Sequence, residues 1–162
     1  MTSASSSDTP VGHTHYHGDH LVPEESLAYC LKQLYHALQR SVERNMAPLD
    51  LTAMQWRPLA LLARGQADNP AELARCAGMD TGAMTRTLDR LEAKGLLRRV
   101  RCQNDRRMVR LELTDEGRAQ CQLIPFALAD AQNRMLQDVT PQELDQFLSL
   151  ARRMLANGAR DG

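Results

Sequence analysis

The sequence contains no long apolar run, since no stretch approaches the roughly 20 residues that a membrane-spanning helix requires. Residues 1–10 are rich in serine and threonine, but they carry neither the basic nor the apolar segment of a secretory signal. We therefore expect a cytoplasmic protein that does not associate with a membrane.

Cysteine-based metal motifs and catalytic motifs are also missing. The four cysteines, Cys30, Cys76, Cys102 and Cys121, are widely separated and form no C-x-x-C pair. This distribution favours free or buried thiols over a disulfide framework or a zinc knuckle. No Gly-rich phosphate loop occurs, and no paired acidic motif of a catalytic site lies near a histidine, so we predict neither an enzyme nor a bound cofactor.

The composition is that of an ordinary globular protein, but its charge is unevenly distributed. The chain has 162 residues, of which 43% are hydrophobic and 25% charged, and its net charge is zero. Residues 75–110 nevertheless contain ten basic and four acidic residues, a net charge of +6. A basic segment in a neutral protein favours contact with a polyanion, whereas a solvated charged face is the alternative.

Residues 1–22 contain few apolar side chains, so burial cannot offset the entropy of ordering them, and we predict a flexible arm. The arm is rich in histidine, at His13, His15, His17 and His20. Their spacing would suit a flexible zinc or copper chelator. Because the rest of the chain offers only His36 as a further histidine, we favour an arm without a metal site.

From residue 23 onward, apolar residues recur at spacings of three and four, which is the periodicity of amphipathic helices. Thr52 and Gln55 form a capping box, and Pro70 and Pro141 stand at first helical positions. Pro125 is expected to bend its helix rather than end it. The predicted helices span residues 24–45, 52–64, 70–77, 81–94, 114–137 and 141–156.

The periodicity changes after Gly95. Residues 97–101 and 108–113 are two short runs with alternating character, separated by a polar turn, which predicts a β-hairpin with a basic tip. Because two adjacent helices precede this hairpin, residues 52–113 are predicted to form a winged helix-turn-helix. The fold class is then mainly α with a small β-hairpin, in a single domain over residues 23–156.

Three of the predicted helices have apolar faces too wide for one small winged domain to bury. They are the helices 24–45, 114–137 and 141–156. We predict that they form a dimerisation platform.

The helix 81–94 is the predicted recognition helix, which would enter the major groove of DNA. Met84, Leu88 and Leu91 lie on one face, which is expected to pack against helix 70–77. Arginine on a guanine edge is the commonest specific base contact, and small residues allow close approach. The residues predicted to contact DNA are Thr81, Gly82, Thr85, Arg86 and Arg90. The alternative is that Arg86 and Arg90 pair with acidic residues such as Asp89.

The tip of the hairpin carries Arg106 and Arg107, which are predicted to reach a narrow minor groove. Asp105 is expected to orient one of these side chains. A helical protein-interaction module without DNA binding is the alternative, but it leaves the basic hairpin without a function.

Several motifs resemble those of the MarR (multiple antibiotic resistance) regulators. The most specific are the wing signature Asp105-Arg-Arg107 and the helix start Leu113-Thr-Asp-Glu-Gly117. The others are Ala71-Glu-Leu-Ala74, Met84-Thr-Arg86, Asp89-Arg-Leu-Glu92, Lys94-Gly-Leu-Leu-Arg98 and Gln55-Trp56-Arg57. The resemblance covers about residues 24–156.

This resemblance implies an obligate homodimer that binds a pseudo-palindromic operator in double-stranded DNA, usually as a repressor. It also implies release from DNA when a small aromatic acid or phenol occupies a cleft between the dimer platform and the DNA-binding lobe. The residues expected to line that cleft are Tyr35, His36, Trp56 and Arg57, with Arg64 as a further candidate. The alternative is that Trp56 is a core anchor and Arg57 part of a surface ion pair.

The resemblance leaves redox sensing open as a second kind of signal. The hydroperoxide-sensing branch of the family places its reactive cysteine in the first helix, near tyrosine hydroxyls. Here Cys30 lies beside Tyr29, and Tyr35 stands five residues further on. The alternative is that Cys30 is a small buried hydrophobic residue.

Overall fold

The structure is a computed structural model that describes residues 14–101 and 109–160. Its contacts divide the chain after His36 into two compact units, a short N-terminal one and a larger C-terminal one. The wing residues Asp105, Arg106 and Arg107 lie outside the described residues, as do His13 and Cys102.

The N-terminal unit contains a short 3-10 helix, Pro23–Glu25, and the beginning of helix α1, Leu27–Met46. The predicted helix 24–45 is therefore interrupted at Ser26, whose backbone is extended. The physical reason is capping, because the Ser26 hydroxyl accepts the amide N–H of Tyr29 at 3.2 Å and so begins a new helix.

Residues before this helix contact its first turn. The Tyr16 hydroxyl accepts the amide N–H of Leu27 at 2.9 Å. The first turn of a helix has no carbonyl partners of its own for its amides, so this bond satisfies one of them.

The C-terminal unit follows the predicted order of helices and hairpin, which confirms a mainly α winged helix-turn-helix. After the end of α1 and a short 3-10 helix, Ala47–Leu49, its described residues form five further helices and two strands. They are α2 Ala53–Ala63, α3 Pro70–Ala77, α4 Thr81–Ala93, β1 Leu97–Arg101, β2 Val109–Leu113, α5 Asp115–Met135 and α6 Pro141–Gly158.

Local capping bonds fix where these helices begin, as the sequence predicts. The Gln55 side chain accepts the Thr52 N–H at 3.1 Å at the start of α2. The Asn69 side chain accepts an amide of α3. At the start of α6 the hydroxyl and amide of Thr140 donate to the Glu143 carboxylate, and these hydrogen bonds lower the pKa of Glu143.

The core lies where α2, α3, α4 and the base of the hairpin meet. Met84, Leu88 and Leu91 of α4 are fully buried, and α4 packs against α3. Burial of this apolar surface is the main force that holds the two helices together. The predicted inward face of the recognition helix is thereby confirmed. The other fully buried large side chains include Met46, Leu59, Leu73, Leu97 and Ile124.

The two strands pair antiparallel, with Leu97 opposite Leu113 and Arg101 opposite Val109. The hairpin is also bonded to the connection between α2 and α3, because the amide of Leu111 donates to the carbonyl oxygen of Asp68 at 2.7 Å.

Helix α5 continues through Pro125, as expected for a proline that does not end its helix. Helix α6 has no buried residue, although it carries many apolar side chains. Within the two described segments, no helix is both long enough and apolar enough to cross a membrane.

Candidate nucleic-acid interface

Helices α3 and α4 form the helix-turn-helix. Gly78 ends α3 with a positive φ of 66°, a conformation that favours glycine, and the chain reverses there. Asp80 then caps α4, because its side chain accepts the amide of Ala83 at 2.8 Å. This cap fixes the first turn of α4.

The outer face of α4 carries all five residues that the sequence predicts to contact the major groove. Each of them is exposed: Thr81, Gly82, Thr85, Arg86 and Arg90. A side-chain carbon added at Gly82 would lie 3.5 Å from a terminal nitrogen of the Arg86 guanidinium. This is an ordinary van der Waals distance, and the nearer neighbour of the added carbon would be an Asp80 carboxylate oxygen, at 3.3 Å.

The alternative interpretation, in which Asp89 pairs with Arg86 or Arg90, does not agree with the structure. Asp89 instead binds Arg99 at 2.7 Å. Among the described residues, no acidic side chain forms an ion pair with Arg86 or Arg90. Both guanidinium groups are thus available on the surface of α4.

Other basic residues of the segment 75–110 bind carboxylates within the protein. The pairs are Lys94 with Asp50 at 2.9 Å, Arg98 with Glu112 at 2.7 Å, Arg110 with Asp68 at 2.8 Å, and Arg99 with Asp89 and Glu92. Within the described part of this segment, the bases without an ion pair are Arg75, Arg86, Arg90 and Arg101, and all four are exposed. The sequence did not single out Arg75 or Arg101.

Arg99 joins strand β1 to helix α4, a role that sequence reasoning missed. Its guanidinium binds Glu92 at 2.5 Å and Asp89 at 2.7 Å. Burial by itself lowers the pKa of Arg99, but hydrogen bonds and charge attraction from Asp89 and Glu92 outweigh burial and raise this pKa. One sequence feature could have indicated this link: the two acidic residues lie three positions apart on one face of the helix that precedes the hairpin.

A cavity of about 450 Å³ lies between α2 and α5. Trp56 is half-buried, packs against the core and also lines the cavity, so it serves as both a core residue and a cavity wall. Arg57 and Arg64 are exposed at this cavity, and Arg57 donates to the carbonyl oxygen of Cys76 at 3.5 Å. The remaining lining is largely apolar, from Ala60, Leu61, Ala63, Cys121, Ile124, Pro125 and Leu128.

Tyr35 and His36, the other predicted cleft residues, belong to the N-terminal unit. Their ring centroids are 5.9 Å apart. Their role in binding a ligand stays a prediction.

The described cysteines are all free thiols in different surroundings. Cys121 lines the cavity, its thiol donates to the carbonyl oxygen of Leu59 at 3.5 Å, and burial raises its pKa. Cys30, in contrast, is exposed on α1 rather than buried as a small hydrophobic residue. Cys76 is half-buried.

The histidines of the N-terminal unit do not assemble a metal-binding cluster in the part of the arm that the structure describes. His15, His17 and His20 line a small cavity of about 200 Å³. Across residues 14–101 and 109–160, no group of three or more histidine, cysteine or acidic side chains is placed to hold a metal ion.

Comparison with known proteins identifies the family. A MarR family model matches residues 49–108, which contain α2, the helix-turn-helix and strand β1. A MarR-family transcriptional regulator from Silicibacter pomeroyi is 30% identical, over 80% of this chain and 88% of that one, with a TM-score of 0.59. The chain belongs to the MarR family. Its members are winged-helix, DNA-binding transcription regulators rather than enzymes.

Two further MarR-like structures contain DNA. The transcriptional repressor CouR, bound to a 23-mer DNA duplex, is 30% identical over 82% of this chain and 94% of that one, with a TM-score of 0.71. A mutant of MarR from E. coli complexed with operator DNA is 29% identical over 80% of this chain and 93% of that one, with a TM-score of 0.70.

Proposed function

We propose that this MarR-family regulator is a homodimeric repressor that places α4 in the major groove of a pseudo-palindromic operator. The wing would reach the neighbouring minor groove, and a small aromatic acid or phenol would release the dimer from DNA. The similarity to CouR, a transcriptional repressor bound to a DNA duplex, supports the direction of regulation.

The observation that carries the DNA-binding part of the proposal is the state of Arg86 and Arg90. Both are exposed on one face of α4, and neither pairs with a described carboxylate, whereas most basic residues around them are paired. A guanidinium without an internal partner can donate two parallel hydrogen bonds to a guanine edge. Thr81, Gly82 and Thr85 add only small side chains to this face, which permits close contact with bases.

Replacement of Arg86 with alanine is expected to weaken operator binding by at least about 30-fold, because the proposed dimer loses one bidentate base contact of about 1–3 kcal/mol in each half-site. The measurement is a gel shift on the promoter region of the chain's own gene, repeated with unrelated DNA. Arg98→Ala is the matched control, since it removes the same charge from a side chain already bound to Glu112. Equal losses for the two variants would contradict the assignment of Arg86 to base contact.

The proposal of a homodimer is supported by the apolar surface of α6. Leu144, Phe147, Leu148 and Leu155 recur at helical spacing, and none of them is buried. An apolar stripe on an isolated chain is unfavourable in water, and a second copy of the chain would cover it. A twofold dimer also presents two recognition helices, as a pseudo-palindromic operator requires.

The proposal of an aromatic effector is supported by the cavity between α2 and α5. A volume of about 450 Å³ lies within the range of small-molecule sites, and most of the lining is apolar. The side chain of Trp56 offers an aromatic wall, and Arg57 and Arg64 offer cations for a carboxylate. A benzoate-type acid combines both features.

Benzoate or 4-hydroxybenzoate is expected to protect Cys121 from alkylation, because this thiol lines the cavity. The rate should fall in proportion to the free fraction, by about tenfold at a ligand concentration near ten times Kd. Mass spectrometry of timed iodoacetamide reactions measures the rate, and exposed Cys30 is the internal control. Unchanged modification of Cys121 at ligand concentrations that release DNA would exclude this cavity as the effector site.

A further inference from the structure

The two strands of the hairpin are attached to different parts of the helical segment α2 to α4. On β2, the Arg110 guanidinium binds the Asp68 carboxylate at 2.8 Å, and the neighbouring amide of Leu111 binds the Asp68 carbonyl at 2.7 Å. Asp68 lies in the connection between α2 and α3. On β1, Arg99 provides the link to α4.

Both the backbone and the side chain of Arg99 bind to α4. Its amide donates to Glu92 at 3.0 Å, one guanidinium nitrogen donates to the same carboxylate at 2.5 Å, and another donates to Asp89 at 2.7 Å. Glu92 and Asp89 occupy successive turns of α4. A planar guanidinium bound by two carboxylates on one helix fixes both the distance and the angle between strand and helix.

The neighbouring residue has a different arrangement. Arg98 points to the other side of the strand and binds Glu112 on β2, so its ion pair lies within the hairpin. Its side chain is 67% exposed, whereas that of Arg99 is 28% exposed. Two consecutive arginines therefore carry the same charge but only one of them connects the wing to the recognition helix.

We propose that Arg99 is a positioning residue for DNA recognition, which holds the wing at a fixed angle to the recognition helix without contacting DNA. It also compensates the negative charge of Asp89, which is exposed on α4. The inference rests on the proposed placement of α4 and the wing in adjacent grooves. If the wing can change its angle to α4, the wing and α4 no longer fit their two grooves at the same time.

Arg99→Gln is expected to weaken operator binding by about tenfold, and Arg98→Gln by no more than about threefold, although both remove one positive charge. Gel shifts at several salt concentrations provide the measurement. The dependence of affinity on salt should be the same for Arg99→Gln and wild type, because Arg99 neutralises no phosphate. A slope reduced by about one phosphate contact would overturn the proposal, since Arg99 would then touch the DNA backbone.

Removal of the two carboxylates that bind Arg99 distinguishes a positioning residue from a DNA contact, because the two roles predict opposite changes in DNA affinity. The double variant Asp89→Asn/Glu92→Gln removes two negative charges from the DNA-binding side. If Arg99 is a positioning residue, this variant binds DNA more weakly than wild type, and adding Arg99→Gln weakens binding no further. If Arg99 contacts DNA, the double variant binds DNA more tightly than wild type. Adding Arg99→Gln to it then weakens binding by the same factor as in the wild-type chain.

Hydrogen exchange of the free protein tests the link independently of DNA. The amides of residues 97–101 should exchange faster in Arg99→Gln than in Arg98→Gln, with unchanged exchange in α6 as evidence that the fold is intact. Equal exchange in the two variants would overturn the proposal. Arg99→Lys retains the charge and should recover part of the lost protection. Failure of the wild-type chain to bind any DNA would overturn the proposed function, whereas the exchange experiment would still test the link.

Discussion

Replacement of Gly117 with alanine is expected to lower the free energy of unfolding by about 3 kcal/mol, because the new methyl group would collide with backbone. A side-chain carbon at this position would lie 1.8 Å from the carbonyl oxygen of Leu96 and 2.8 Å from its carbonyl carbon. Real contacts are never so short, so either α5 or the chain at Leu96 must move.

Neither of these segments is free to move, because a set of hydrogen bonds holds them together. The Thr114 hydroxyl donates to the carbonyl oxygen of Gly95 at 2.6 Å and accepts the amide of Gly117 at 3.0 Å. The amide of Thr114 donates to the carbonyl oxygen of Leu96 at 3.2 Å. A shift large enough to admit a methyl group would break this set and displace the start of α5 from the end of α4.

Urea denaturation followed by circular dichroism measures the effect. Gly158→Ala is the matched control, since it makes the same change within α6, where nothing lies within 4 Å of the added carbon. It should change the stability by less than about 1 kcal/mol. A Gly117→Ala protein as stable as the Gly158→Ala protein would show that the contact between Gly117 and Leu96 is not required by the fold.

Gly117 illustrates what sequence reasoning can and cannot supply. The pattern Leu-Thr-x-x-Gly indicated the family and the start of a helix, and Thr114 does cap α5. The reason for glycine, however, is a contact with Leu96, which lies 21 positions earlier in the chain. Most caps and helix ends depend on neighbours in sequence and were predicted well, apart from the start of α1 at Ser26, whereas a requirement set by a distant backbone atom was not predicted.

The basic segment shows the same division between local and tertiary information. Its net charge of +6 indicated a surface of interest, but the sequence could not assign ion pairs between separate elements. Arg110 pairs with Asp68, 42 positions away, and Arg99 pairs across the boundary between β1 and α4. Amphipathic periodicity did identify Arg86 and Arg90 as outward-facing, because the helix itself determines which face is buried.

Leu148→Glu is expected to abolish dimerisation and to weaken operator binding by more than about 100-fold, because two linked half-site contacts become one. Leu148 lies in the middle of the apolar face of α6, with 37% of its surface exposed in the single chain. Burial of a glutamate carboxylate in an apolar interface without a partner is strongly unfavourable.

The single chain provides a reason to expect that this variant folds. Helix α6 has no buried residue, and the core is built from other elements, with Leu59, Leu88 and Ile124 among its fully buried members. A charge on α6 therefore perturbs no contact of the core. Loss of the partner would still expose apolar surface, so circular dichroism must accompany the measurement of mass.

Gln146→Glu is the control, because it adds the same charge to α6 only two residues away, on the side of the helix opposite Leu148. Sedimentation velocity should give a dimer for this control and a folded monomer for Leu148→Glu, with matching differences in gel shifts. A dimeric Leu148→Glu protein that binds operator as tightly as the control would contradict an interface on this face of α6. A different partner would then have to cover the apolar face of α6. The dimer that pairs the two recognition helices would have to form through another surface.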